Sequence, residues 1–565
     1  MSESEAKDCV RWNGVPVFLI LFSICFLLSC DNGNDKKSAK GLFSPKLFDK
    51  EDFAGQLRSI LSTEDSTGKN KKTKNVSDYV TSAYRLHAFQ PFWLSEKGPT
   101  KSARQLLDEL EDIQWDGINP ARYRLAELRD QLHAIEQGKD KGTNLDGVIA
   151  FDTSLTSAYL NASRDLLMGI VAPKVADSLW FHRNDTIWLA PEQLVNELGK
   201  HDKYISLDSS RSSIPSYGLL REALQHFTKL MADPKLDSLS KVLHEAAKTK
   251  QADSATLEVA EDVIKTELPW IYTQADDSLD ENEQLLAAYQ EYMGLRVTGK
   301  ADSSTLRHLA MPLNNITDKL KANLERYRWM YRDIGNFYIL VDVPLMELFF
   351  KREGKNVQHM RVVVGRPERQ TPSLDAAMAN VVINPSWGVP PTILKKDVLP
   401  GITKNANYLS KKGLKAYDRK GNVIDASLIN SSNYKNYTYK QAPGDGNSLG
   451  YVKFNLPNRW DIYLHDTPHR SDFPLRYRAK SSGCVRVQKP KEMAVYILSQ
   501  IEQQDFDDEK LEAIIKTHKT KWEVLKHKIP VHITYLTAYE DTTGKHIRLI
   551  NDIYKRDSKL ISYLK

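Results

Sequence analysis

Apolar positions recur along this chain with two different periods, and the change of period divides it. From about residue 76 to about residue 330 they fall three and four apart, the spacing of buried helix faces. Leu106, Leu107, Leu110 and Ile113 predict a helix over 102–113, which Trp115-Asp116-Gly117 breaks and Asn119-Pro120 follows. Further helices are expected over 154–170, stopping at Pro173, and over 217–231. Residues 283–309 read as two short helices. The first buries Leu285, Leu286, Tyr289 and Tyr292 and ends before Gly294, and the second is capped by Asp302 and carries Leu306 and Leu309. A basic helix over 320–332 comes next. Its Arg326, Arg328 and Arg332 read as a solvated, salt-bridged face rather than a polyanion patch.

After about residue 336 the period becomes two. Residues 336–342, 361–365 and 531–539 alternate or run β-branched, which predicts strands. An apolar, aromatic run over 460–464 predicts another, closing on His465. Residues 481–487 read as a turn of small residues entering an alternating strand. Between them and the earlier strands, residues 401–439 are rich in glycine, asparagine and lysine with no steady period, and a loop this long inside a domain is usually functional. Residues 31–75 are polar and lysine-rich, a tether with one short helix over 48–61. Ahead of them the apolar run 15–28 is short for a membrane span and fits a signal-peptide core, with an uncleaved anchor helix as the plainer alternative.

Length and composition narrow the picture further. A chain of 565 residues predicts two to four domains. A net charge of +6, spread over both signs, gives no basic stripe for nucleic acid. The cysteines are Cys9, Cys25, Cys30 and Cys484. With the leader removed and Cys30 modified, Cys484 has no partner for an intramolecular disulfide. Its polar, glycine-flanked context argues against a buried structural thiol. No HExxH, no CxxC and no glycine-rich phosphate loop after a strand is present, so neither a metal nor a cofactor is expected.

His465 and Cys484 lie nineteen positions apart, and a thiol beside an imidazole is the minimal equipment for covalent acyl transfer. His465-Asp466-Thr467-Pro468 followed by Ser481-Ser482-Gly483-Cys484-Val485-Arg486 resembles the catalytic motif of L,D-transpeptidases of the YkuD type, in particular their multi-domain YcbB-like branch. Asn384-Pro385-Ser386-Trp387, residues 441–450 and residues 551–554 match the same branch. Phe92-Trp93, 117–123 and 155–159 resemble its helical scaffold, and 283–309 resembles a peptidoglycan-binding type 1 repeat. The order of histidine before cysteine disfavours a papain-like or NlpC/P60-like peptidase.

The resemblance, spanning about 76–555, implies a multi-domain α+β protein. A lipoprotein signal (1–29) and a flexible tether (30–75) lead to a helical scaffold (76–275). A peptidoglycan-binding-like helical module (276–315) and a linker helix (316–335) follow. A mostly β catalytic domain (336–555) carries a capping insertion at about 401–447, and a tail (556–565) ends the chain. It implies Cys484 as nucleophile and His465 as general base, with Tyr463 and the Cys484 N–H at Gly483-Cys484 receiving an oxyanion. Arg486 would take a substrate carboxylate. Trp387, Ser482 and Asp466 are candidate substrate contacts, Trp387 alternatively a core plug, Ser482 a turn former and Asp466 an orienter of the histidine. The expected substrates are peptidoglycan stem peptides, with the thioester passing to a second stem. Hydrolysis, exchange and protein anchoring are the alternatives, as is a non-catalytic peptidoglycan-binding lipoprotein. Leu27-Leu28-Ser29-Cys30 resembles a lipobox, which implies a lipid on Cys30, a membrane anchor and a periplasm-facing envelope location.

Overall fold

The computed structural model describes residues 46–565 except 67–75, 138–144, 183–189, 199–205, 250–251, 273–280, 331–332, 406 and 542. The leader, Cys30, Arg332 and much of the tether fall outside the described residues. Helix Lys50–Ser66 corrects one expectation. It runs longer than 48–61, and it buries Phe53 and Leu57 in the same core as Leu106, Leu110 and Tyr159, so this part of the chain belongs to the helical domain. Phe53, Leu57 and Leu61, each four apart, place that face inward, and their weight was hidden by polar neighbours.

The expected helices appear as Lys101–Asp112, Leu145–Met168 and Pro215–Leu230. Phe92 and Trp93 pack in the core, and their backbone N–H groups donate to the buried Asp152 carboxylate at 3.0 and 2.8 Å. The two-helix unit forms as Glu281–Tyr292 and Ser303–Leu309, with Asp302 accepting from Ser304 and Thr305 N–H. It docks through Asn551, whose amide donates to the Gly294 carbonyl at 2.5 Å, and through Tyr292, which donates to the Ile547 carbonyl.

Helix Leu313–Arg328 contradicts the solvated-face reading. Arg326 and Arg328 are 1% and 2% exposed. This helix is sandwiched between the helical domain and the sheet, and each guanidinium is matched by a buried carboxylate, Asp557 for Arg326 and Glu325 for Arg328.

The sheet closes on itself. Its strands run in the order Val452–Asn455, Leu464–His465, Val485–Val487, Lys355–Gly365, Glu347–Arg352, Phe337–Asp342, Lys521–Thr534 and Ser373–Ile383, and the last pairs back onto the first. Closure removes open edges and leaves a barrel-like core of Ile339, Val341, Val362, Val364, Val531 and Ile533. Residues 535–537 interrupt the expected 531–539 strand, and Ala538–Glu540 pairs instead with Ile547–Leu549. A short strand from the helical half, Trp180–Phe181, adds to Ser373–Ile383 in parallel. His182 and His532 clamp it by each donating Nδ1–H to Asp375 Oδ1, at 2.7 and 2.6 Å.

The aperiodic 401–439 stretch is also more than a loop. Trp387–Gly388, Leu414–Tyr417, Val423–Ile424 and Thr438–Gln441 form a separate four-stranded sheet over its own small core of Val398, Leu409, Leu414, Ile429 and Tyr439. The insertion therefore begins near Trp387, earlier than the glycine-rich segment suggests.

Candidate active site

Two parallel strands, Leu464–His465 and Val485–Val487, set the geometry. Leu464 pairs with Val485 and His465 with Arg486, and the Val485 N–H donates to the Tyr463 carbonyl at 3.1 Å. Continuing the register puts Cys484 opposite Tyr463. Alternation then points Tyr463, His465, Cys484 and Arg486 to one face. All four line a groove of about 680 Å³, together with Trp387 and Trp460.

The turn before the thiol is built from small residues for physical reasons. Gly483 has φ +123°, a conformation closed to residues with a Cβ. The Ser481 hydroxyl donates to the Cys484 carbonyl at 2.6 Å and accepts from the Gly483 N–H at 3.1 Å. Thr371 donates to the Gly483 carbonyl at 2.8 Å. Among the described residues nothing accepts from the Cys484 N–H, which therefore remains available.

His465 is 6% exposed, and its Nδ1–H donates to the carbonyl of Asp466 at 2.5 Å. A carbonyl only accepts, so the neutral ring carries its proton on Nδ1 and keeps a lone pair on Nε2. Burial, with Arg486 and Lys453 nearby, pushes the imidazole pKa down to about 3 against the weaker pull of that carbonyl. The ring is thus a neutral base across the physiological range.

The thiol is half-buried and unengaged with the ring: Sγ donates to the Asp461 carbonyl at 3.5 Å, and among the described residues no hydrogen bond joins it to His465. Burial pushes its pKa up. The Tyr463 N–H, the Tyr463 hydroxyl and the Lys453 ammonium oppose that by favouring the thiolate. Lys453 sits 4.2 Å over the Tyr463 ring. Arg486 is half-buried and paired with Asp472 at 3.2 Å.

The L,D-transpeptidase catalytic domain, YkuD, matches residues 336–523, and a family described as a scaffold domain matches residues 78–224. The chain carries a YkuD-type L,D-transpeptidase catalytic domain behind a scaffold domain. A protein of Haemophilus influenzae (strain Rd) named "Putative L,D-transpeptidase" is 34% identical over 288 residues, half of this chain. The match spans 57% of that relative's length. A solved structure, that of the Ldtfm-avibactam carbamoyl enzyme, aligns over 36% of this chain and 49% of its own at 12% identity, with a TM-score of 0.18, too low to superpose the folds.

Within this transpeptidase domain the residues expected from the sequence part into two groups. Tyr463, His465, Gly483, Cys484, Arg486, Ser482 and Trp387 line the groove. Asp466 does not. Its carboxylate is 1% exposed and accepts from the N–H groups of Tyr451 at 2.9 Å and Thr467 at 2.6 Å, and from Arg470. Only its carbonyl touches His465, so the substrate-contact reading is replaced by a positioning one. Ser482 is exposed and accepts from Arg369 at 3.0 Å, and Arg369 also pairs with Asp397 of the insertion. The predicted strand over 460–464 shrinks to Leu464–His465, and the residues before it form a loop. Asp461 has φ +54°, and the Asn458 side chain accepts from the N–H groups of Trp460 and Ile462 to hold a loop that aims the Asp461 carbonyl at the thiol.

Lys453, Asn458, Asp461 and Asp472 escaped the sequence reading as site residues, and Ser481 entered it only as part of the motif and its turn. Only Ser481 had a signal, a hydroxyl three positions before the cysteine in a glycine turn.

Proposed function

We propose that this protein is a peptidoglycan L,D-transpeptidase, and that it works through a thioester on Cys484. The observation that carries the reading is the thiol, the neutral imidazole and the Tyr463 hydroxyl on one strand face of an open groove.

In this reading Cys484 turns from the Asp461 carbonyl toward Nε2 of His465, which takes its proton. The thiolate attacks the carbonyl at the L-centre of the third residue of a tetrapeptide stem, a diaminopimelate. The oxyanion is received by the Cys484 N–H and the Tyr463 hydroxyl. The intermediate collapses, the C–N bond breaks, and His465 returns the proton to the departing D-alanine amine. An amine of a second stem then loses a proton to His465 and attacks the thioester. The C–S bond breaks and a 3→3 cross-link results. Arg486, tethered by Asp472, holds a substrate carboxylate, and Trp387 forms the groove wall. Lipidation of Cys30 and attachment on the periplasmic side of a membrane belong to the same reading.

The test is incubation of the protein with tetrapeptide muropeptides, followed by mass spectrometry, beside Cys484→Ala. Loss of D-alanine with dimer formation supports transpeptidation. D-alanine loss without dimers supports the carboxypeptidase alternative. Full activity in Cys484→Ala refutes the nucleophile.

A further inference from the structure

A second cavity, of about 320 Å³, lies in the helical half of the molecule. It opens between helix Pro234–Thr249, helix Ser254–Glu267, the end of Pro215–Leu230, and the Leu309-to-Leu313 turn. Its walls are aliphatic, with Leu236, Val263, Leu309 and Leu313 among them, and its polar lining is acidic or neutral with no lysine or arginine.

Glu267 lines this cavity at 4% exposure, and among the described residues its carboxyl has no hydrogen-bond or ion-pair partner. Such a group is costly. Desolvation alone raises its pKa to about 8. It also stands at the last position of its helix, where the macrodipole disfavours a negative charge. A buried carboxyl facing a void rather than a donor is a half-made interaction, and a cation entering the void completes it. Two further carboxylates, Asp233 and Asp237, line the same cavity nearer to solvent, Asp237 also pairing with Lys241 at 2.8 Å. An aliphatic cavity lined by one buried carboxyl and two nearer to solvent matches an aliphatic chain that carries two ammonium groups.

We propose that this cavity is a binding site for an aliphatic diamine, with Glu267 receiving the inner ammonium and Asp233 and Asp237 the outer one. The absence of a basic lining residue selects against amino acids, whose carboxylate would meet only like charge. The site is separate from the groove at Cys484 and stands whether or not the transpeptidase reading does.

The test uses the intact chain and 1,5-diaminopentane, followed by titration calorimetry and by the methyl NMR signals of Met231 and Leu309. Saturable binding is expected, strengthening as pH rises through about 8 while Glu267 ionises. Glu267→Gln, which keeps size and shape, should weaken it roughly tenfold or more, the worth of one charge-assisted hydrogen bond. Leu309→Trp, filling the void, should abolish it while the groove's reaction with muropeptides persists. Lysine offered at the same concentration should bind far less. Absence of saturable binding, or binding that Glu267→Gln leaves unchanged, overturns the proposal. In the second case the diamine is held by surface carboxylates alone.

Discussion

Burial and nearby charge pull two of the groove's titrating side chains, Cys484 and His465, in directions that can be separated. The Cys484 thiol is raised by burial and lowered by its Tyr463 and Lys453 neighbours, so reactivity should climb with pH and keep climbing above the ordinary thiol range of about 8.5. Lys453→Met removes a cation that favours the thiolate. The iodoacetamide alkylation profile of that variant should move to higher pH, by about one unit or less. A profile that stays put would mean the lysine's charge does not reach the sulfur. His465 works on stability with the opposite reach. Its folded pKa, about 3, lies below the unfolded value of about 6.5. Above 6.5 both states are neutral and the ring costs nothing. As pH falls from 6.5 toward 3, only the unfolded chain takes the proton, and stability drops by up to about 1.4 kcal/mol per pH unit. Urea midpoints measured between pH 7 and 4 should therefore fall more steeply for the native protein than for His465→Gln.

At the scale of elements, the site depends on close backbone approaches that few sequence signals announce. Gly450 has φ +59°, and a Cβ there would lie 2.4 Å from Asp466 Cγ. Since the Asp466 carbonyl fixes the His465 tautomer, Gly450→Ala should cost about 1–3 kcal/mol and lower turnover roughly tenfold or more. Gly446, where a Cβ meets nothing within 4 Å, supplies the control, and Gly446→Ala should match the native protein in melting temperature and in any turnover. The same contrast explains what could be read from the chain. Helices such as Lys101–Asp112 and the Ser481-to-Arg486 turn were legible because local spacing and turn chemistry specify them. Lys453 and Asp472 were not, because they reach the groove only through strand pairing and a loop contact distant in sequence. The insertion hid for a related reason. Strands of two to four residues around a small core leave no period long enough to detect.

For the molecule as a whole, helix Leu313–Arg328 is the joint between halves, and its two buried arginines face different ways. Arg328 donates to the Asp116 carbonyl at 2.7 Å and to the Tyr217 hydroxyl at 3.1 Å, gripping the helical domain. Arg326 donates to Asp557 at 2.6 Å and to Thr537 at 3.2 Å, gripping the chain's last helix and the turn that leaves the sheet. Asn323 reinforces that second grip by exchanging hydrogen bonds with Thr537 at 2.9 and 2.8 Å. A buried ion pair adds little net stability when intact, because desolvating both charges offsets their attraction, but breaking one side strands the other. Arg326→Met should therefore cost about 3–5 kcal/mol, most of it the unpaired Asp557 carboxylate. If that account is right, Asp557→Asn added to Arg326→Met should restore a good part of the loss, although it removes a second native group. Chemical denaturation of the four proteins in the cycle measures the coupling directly. Additive losses would mean that the two side chains stabilise the joint separately, through contacts other than their ion pair.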